Sequence, residues 1–156
     1  MILTARYGSP EALEALQQRV KELNGMHIDA GWSGPLGASP ETVKIAAINT
    51  FGAPRANIPA RDVLTPLAVR SRDWISKVNK EIMRKLTMGE DYESDVDGIA
   101  RRLEAEGKQA VRDFASPGNA PSTIAGKGFD DPLVGKGADG GRLVSEFAAA
   151  VFRDID

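Results

Sequence analysis

The chain has 156 residues, 42% apolar and 27% charged, which suits one ordinary soluble domain able to bury roughly 70% of its unfolded surface without a metal or disulfide staple. Twenty basic against 22 acidic residues leave a net charge of -2, so no global field draws it to nucleic acid or to an anionic membrane. The absence of cysteine removes thiolate chemistry and disulfides. With no apolar run near about eighteen residues and no signal-peptide core, a protein made and kept in a cytoplasm is expected.

In chain order, residues 1–8, MILTARYG, form a short candidate strand. Ser9 then offers a cap, Pro10 suits a first helical position, and Leu13, Leu16, Val20 and Leu23 recur at helical spacing until Asn24-Gly25 stops them. Met26 to Trp32 alternates like a strand and runs into a Gly-Pro loop. Ser39-Pro40-Glu41 repeats the helix-start signal for a short helix closing at Gly52. The next ten residues, with Pro54 and Pro59, are irregular.

Leu64, Leu67, Ala68, Trp74 or Ile75, Val78, Ile82 and Leu86 trace one face of a helix about 36 Å long at 1.5 Å per residue. After the break at TMGED, Val96, Ile99, Ala100, Leu103, Gly107, Ala110, Val111 and Phe114 trace another. The short link predicts an antiparallel helical hairpin. From Ser116 to Gly141 no period is sustained, and so long a loop points to function or to ordering against a partner. The segment 146–153 reads as a strand, Phe147 to Arg153, or as a helix, since its alanines permit either.

Three stretches invite chemistry. The first, Gly126 to Leu143, holds two Gly-Lys-Gly triplets, but a phosphate loop needs glycine five residues earlier and a hydroxyl after the lysine. Asp130 and Pro121 occupy the first of those places, and Gly128 and Gly137 the second, so a flexible or partner-ordered loop is the better reading. In the second, Glu93, Asp95, Asp97, Gly98 and Glu104 fall at positions one, three, five, six and twelve of a calcium loop. The same residues suit the acidic first turn of a helix whose apolar face continues unbroken, and the helix is preferred. Third, His27 is the sole histidine, within a strand, and no nucleophile or zinc pattern accompanies it. Asp130 and Asp131 are a solvated pair rather than an acid-base couple; Trp74 fits a helix face, and Trp32 suits a core rim or a contact surface.

Two further motifs carry a resemblance. The stretch from Ala46 to Ile75, AAINTFGAPRANIPARDVLTPLAVRSRDWI, resembles a pattern in head-to-tail interface proteins of tailed bacteriophages. In it a helix ending in Asn-x-Phe-Gly is followed by Ile-Pro-Ala-Arg and a long helix. The stretch from Asn119 to Leu143, NAPSTIAGKGFDDPLVGKGADGGRL, is similar to a later element of the same proteins. Asn49, Phe51, Gly52, Ile58, Pro59, Ala60 and Arg61 match the first motif. Pro121, Thr123, Lys127, Gly128, Pro132, Leu133, Gly141, Arg142 and Leu143 match the second. Asp62 and Val63 replace a usual proline and phenylalanine, Gly126 a basic residue and Gly140 a threonine, which puts the packing of both loops in question.

The resemblance implies a virion structural protein of the neck or tail-completion type, without catalytic residues, cofactor or metal. Its expected fold is α+β: a single domain over 1–156 with a small antiparallel β-sheet packed with amphipathic helices, including a long helical hairpin, plus extended loops. Implied partners are further copies in a ring, a hexamer, and head-completion or connector, tail-terminator or tail-tube proteins. DNA would pass through the ring without sequence-specific contact, and no membrane is involved. The implied location is the virion's head-tail junction, with assembly in the host cytoplasm. Arg61 and Arg142 are each suited to grip a carboxylate, within the fold or across a protomer boundary, or simply to pin their own loops. Two other classes remain: a non-enzymatic cytoplasmic binding or regulatory module, and a calcium-binding protein through Glu93–Glu104.

Overall fold

The computed structural model describes residues 9–136 and 140–154; the candidate strand at 1–8 lies outside them. Helix α1, Pro10–Asn24, starts where the Ser9 hydroxyl accepts from the Ala12 amide at 3.3 Å, and stops at Gly25. Strand β1, Met26–Gly31, follows directly. Helix α2, Pro40–Phe51, is capped in the same way by Ser39. A single 3-10 turn, Pro54–Ala56, interrupts the irregular stretch before helix α3, Leu64–Met88.

Gly89, at φ +74, reverses the chain into α4, Glu93–Arg112. A left-handed residue there is cheapest as glycine. The pair is antiparallel: near the start of α3, the Arg70 guanidinium donates to the Glu106 carbonyl at 2.9 Å, while near its end Lys85 reaches Asp95 at 2.6 Å. Phe114, expected on the helix face, lies just past the helix yet still packs on the core.

Helices α5, Pro121–Lys127, and α6, Arg142–Ser145, precede strand β2, Ala148–Arg153. The segment left open between strand and helix is therefore a strand. Its first expected residue, Phe147, instead turns fully inward. The stretch from Ser116 to Gly141, expected to lack regular structure, contains α5. Seven residues whose apolar side chains beyond Pro121 are the adjacent Ile124 and Ala125 are too few to show a period.

β1 and β2 pair antiparallel, Met26 opposite Arg153, Ile28 opposite Val151 and Gly31 opposite Ala148. The two-residue alternation points Met26, Ile28 and Ala30 at the helices and leaves His27 and Asp29 exposed. His27 stacks on Phe152, its register partner, with ring centroids 5.5 Å apart, so the lone histidine is a cross-strand surface residue.

Two apolar clusters hold the layers together. One gathers Ile82, Leu86, Tyr92, Val96 and Ile99 of the hairpin under Leu16 and Leu23 of α1. The other joins Ala46, Val63, Leu67, Val111, Leu133, Leu143 and Val144 around the fully buried Phe147. Helix α4 approaches that ring so closely that a Cβ on Gly107 would lie 2.1 Å from it. The fold class is α+β, and among the described residues no helix is long and apolar enough to cross a membrane.

Candidate interaction surface

The two motifs, distant in sequence, meet on one flank. Helix α2 ends at Phe51, and Gly52 takes φ +73 with its backbone pressed against the returning loop. A Cβ there would lie 2.8 Å from the Ala60 amide nitrogen and 3.0 Å from the Ile58 carbonyl oxygen, so glycine is required twice over. Ala53 and Ile58 exchange amide hydrogen bonds of 2.8 and 3.1 Å, closing the knuckle. Phe51 projects from it 80% exposed, and Pro59 and Ala60 also face solvent.

The knuckle carries Arg61 inward. Its amide donates to the Asn49 carbonyl at 2.5 Å, and its guanidinium is buried. Nη1 donates to Asn49 Oδ1 at 3.1 Å, Nε to the Pro117 carbonyl at 3.1 Å and Nη2 to the Gly118 carbonyl at 2.9 Å. Asn49 is aimed by its own donation to the Ile45 carbonyl at 2.9 Å. Arg61 therefore pins α2 to the segment after α4. Its partners are carbonyls and an amide, so the carboxylate grip considered from sequence is not the arrangement adopted.

Asp62 and Val63, two of the departures from the resembled pattern, are accommodated. Asp62 Oδ1 accepts from the Leu64 and Thr65 amides at 2.9 and 3.1 Å and starts α3, and Thr65 chiefly holds its carboxyl below the usual range. Val63 is buried in the core.

The second motif closes over the same flank. Pro121 and Thr123 are exposed on α5, and Gly128 ends it at φ +89. Lys127 donates to the Asp131 carbonyl at 2.6 Å and lies 4.8 Å from the Phe129 ring centre; burial pushes its pKa down, against Asp131. Pro132 and Leu133 are buried, and Gly135 donates to the Gly140 carbonyl at 2.7 Å. Here two backbones cross: a Cβ on Gly141 would lie 2.7 Å from Gly135 Cα. Arg142 pairs with Glu41, an exposed contact to α2 within the chain. The buried Leu143 accepts from Trp32 Nε1 at 2.9 Å, which fixes that tryptophan as core rim, edge-on to Phe147. Between the motifs lies an open groove of about 310 Å³, lined by Ile45, Asn49, Lys127, Leu133, Arg142 and their neighbours.

The geometry argues against an anion site. Gly126-Lys127-Gly128 is the C-terminal end of α5, where carbonyls carry the negative end of the helix dipole, and that repels phosphate. The second triplet runs into residue 137, outside the described residues. The calcium reading fails for a parallel reason: Glu93 to Glu104 is helical, and its carboxylates diverge to separate cations. Glu93 pairs with Arg153 at 3.0 Å, Asp95 with Lys85 at 2.6 Å and Glu104 with Lys108 at 2.5 Å. Asp130 and Asp131 also part company, Asp130 accepting the Asn119 amide at 2.8 Å. Among the described residues no cluster of three or more His, Cys, Asp or Glu side chains could hold a metal ion.

One contributor escapes sequence reading. Glu146 Oε2 accepts the Ser39 amide at 2.7 Å, completing the cap of α2 from 107 positions away. That amide is the main cause of its lowered pKa. Nothing local to Glu146 signals the role.

Compared with protein-family models, curated proteins and solved structures, the chain finds no significant match.

Proposed function

We propose that the protein is a structural component of a tailed-phage virion, of the neck or tail-completion type, acting as a ring protomer that joins tail to head. The observation that carries this reading is the knuckle: Phe51 stands 80% exposed on a backbone held rigid by Gly52, the Ala53–Ile58 bridge and the buried Arg61. A large aromatic side chain displayed on a braced support is what a protein contact uses as an anchor, because little conformational freedom is lost on docking. The two motifs of the resemblance are neighbours there, which favours one assembly surface over two unrelated loops. In the ring, the flank would meet a head-completion, tail-terminator or tail-tube protein.

Phe51→Asp tests the reading. The variant should melt within a few degrees of wild type, since Phe51 supports no core and a carboxylate at the end of α2 costs about 0.3–1 kcal/mol, while phage carrying it should accumulate separate heads and tails in electron micrographs. Normal virions from that phage, or a gene lying outside any cluster of portal, capsid and tail-tube genes, would overturn it.

A further inference from the structure

Among the described residues, the outward face of α3 is a second exposed apolar surface. Val69 is 70% exposed and Met83 51% exposed, and with Ser76 between them they form a stripe about 21 Å long at 1.5 Å per residue. They line an open concavity of about 1050 Å³, with Arg72 and Lys80 beside them. Charge sets this face apart. Arg84 and Lys85 of the same helix are neutralised by Glu81, Glu90 and Asp95, whereas Arg72 and Lys80 have no carboxylate within ion-pair distance among the described residues.

The complementary surface belongs to the same chain. Helix α1 spans 15 residues, about 22 Å, and its exposed apolar pair covers about 10 Å of that, less than the length of the stripe. It exposes Leu13 at 43% and Val20 at 38%, two turns apart, with Glu14 and Glu11 along its outer margin. Neither glutamate has a cationic partner among the described residues; Ser9 chiefly holds the Glu11 carboxyl below its usual range.

We propose that the α3 face of one copy receives α1 of a second copy, with Leu13 and Val20 seated between Val69 and Met83 and with Glu11 and Glu14 toward the cationic side chains of Arg72 and Lys80. The contact is heterologous: each protomer gives one surface and accepts the other, so repetition by a rotation closes a ring. The inference rests on the ring reading above and adds to it which faces meet.

Charge swapping in the full chain tests it, read by sedimentation and negative-stain microscopy. Wild type should self-associate, less so at high salt because the pairing ions are exposed. Arg72→Glu/Lys80→Glu and Glu11→Lys/Glu14→Lys should each weaken self-association by about tenfold or more, the scale of about 1.4 kcal/mol. All four positions are exposed, so Arg72→Glu/Lys80→Glu should leave the melting temperature nearly unchanged, while Glu11→Lys/Glu14→Lys should lower it by a few degrees through the lost acid at the helix start. An equimolar mixture of the two variants should recover association, because each reversed face then meets the other reversed face.

If rings form and neither reversal weakens them, or if both weaken them and the mixture does not recover, the faces do not meet and the inference falls while the ring reading stands. If Arg72→Glu/Lys80→Glu instead only abolishes binding to duplex DNA or to phosphatidylserine vesicles, the face serves an anion and the inference falls. A wild-type chain that stays monomeric at all concentrations overturns the ring reading along with it.

Discussion

The seam between α4 and β2 and the Arg61 knuckle are both tightly organised, by opposite means. At the seam, Phe147 fills the space left by the missing side chain of Gly107, so apolar packing dominates. At the knuckle a buried guanidinium ties the end of α2 to the segment after α4, and glycines let chains touch. Packing of the first kind is shared by the whole domain, so damage there lowers global stability. Bonding of the second kind is local, so damage should loosen one flank and leave the rest folded.

The largest effect is expected at the seam. Phe147→Ala should cost about 3–5 kcal/mol, by lost burial and a cavity that α4 cannot fill. Gly107→Ala should cost about 1–3 kcal/mol despite alanine's better helix propensity, because the new methyl meets a ring with no room to move. Urea denaturation measures both, and Phe147→Leu should restore part of the Gly107→Ala loss. A Gly107→Ala protein as stable as wild type would break the contrast between the two regions.

At the knuckle, Arg61→Ala should cost about 1–2 kcal/mol, since Asn49 Oδ1 loses its donor while the exposed carbonyls at Pro117 and Gly118 regain water. Arg61→Lys should not rescue it, because one ammonium cannot span three acceptors in the plane that the guanidinium covers. The sharper measurement is limited proteolysis: cleavage should rise between 115 and 131 and remain unchanged in α3 and α4. Uniform sensitisation would mean that the flank and the core unfold together.

The two regions also differ in how far sequence revealed them. Ser9 and Ser39 caps, the helical recurrence from Leu64 to Leu86 and the acidic start of α4 made four helices legible, because caps and periodicity are local signals. Gly107 was legible only as part of an apolar face; its need to be glycine comes from Phe147, forty residues on. Arg61 stood out by resemblance alone, and sequence could not choose between an outward and an inward guanidinium, which depends on carbonyls beyond α4. α5 stayed hidden because it is short and Ala120 provides no side-chain cap. Asp62 and Glu146 show the same limit from two sides, one capping its own helix within three residues, the other capping a helix it does not precede.

The smallest effect, and the finest test of the boundary between the regions, lies at Glu146. It adjoins Phe147 in sequence but bonds to the α2 cap, so it joins the packed seam to the bonded flank. The Ser39 amide, with smaller help from the Ser39 and Thr42 hydroxyls and Arg142, depresses its folded pKa. A depressed carboxyl adds stability above its unfolded value, about 4.3, and loses it as pH falls through the lower folded value. Wild type should therefore melt higher than Glu146→Gln at pH 7, and the gap should close as the pH is lowered from about 5 through the folded pKa. A gap that persists unchanged in acid would mean that the glutamate acts by shape alone, and that its charge does not link flank to seam.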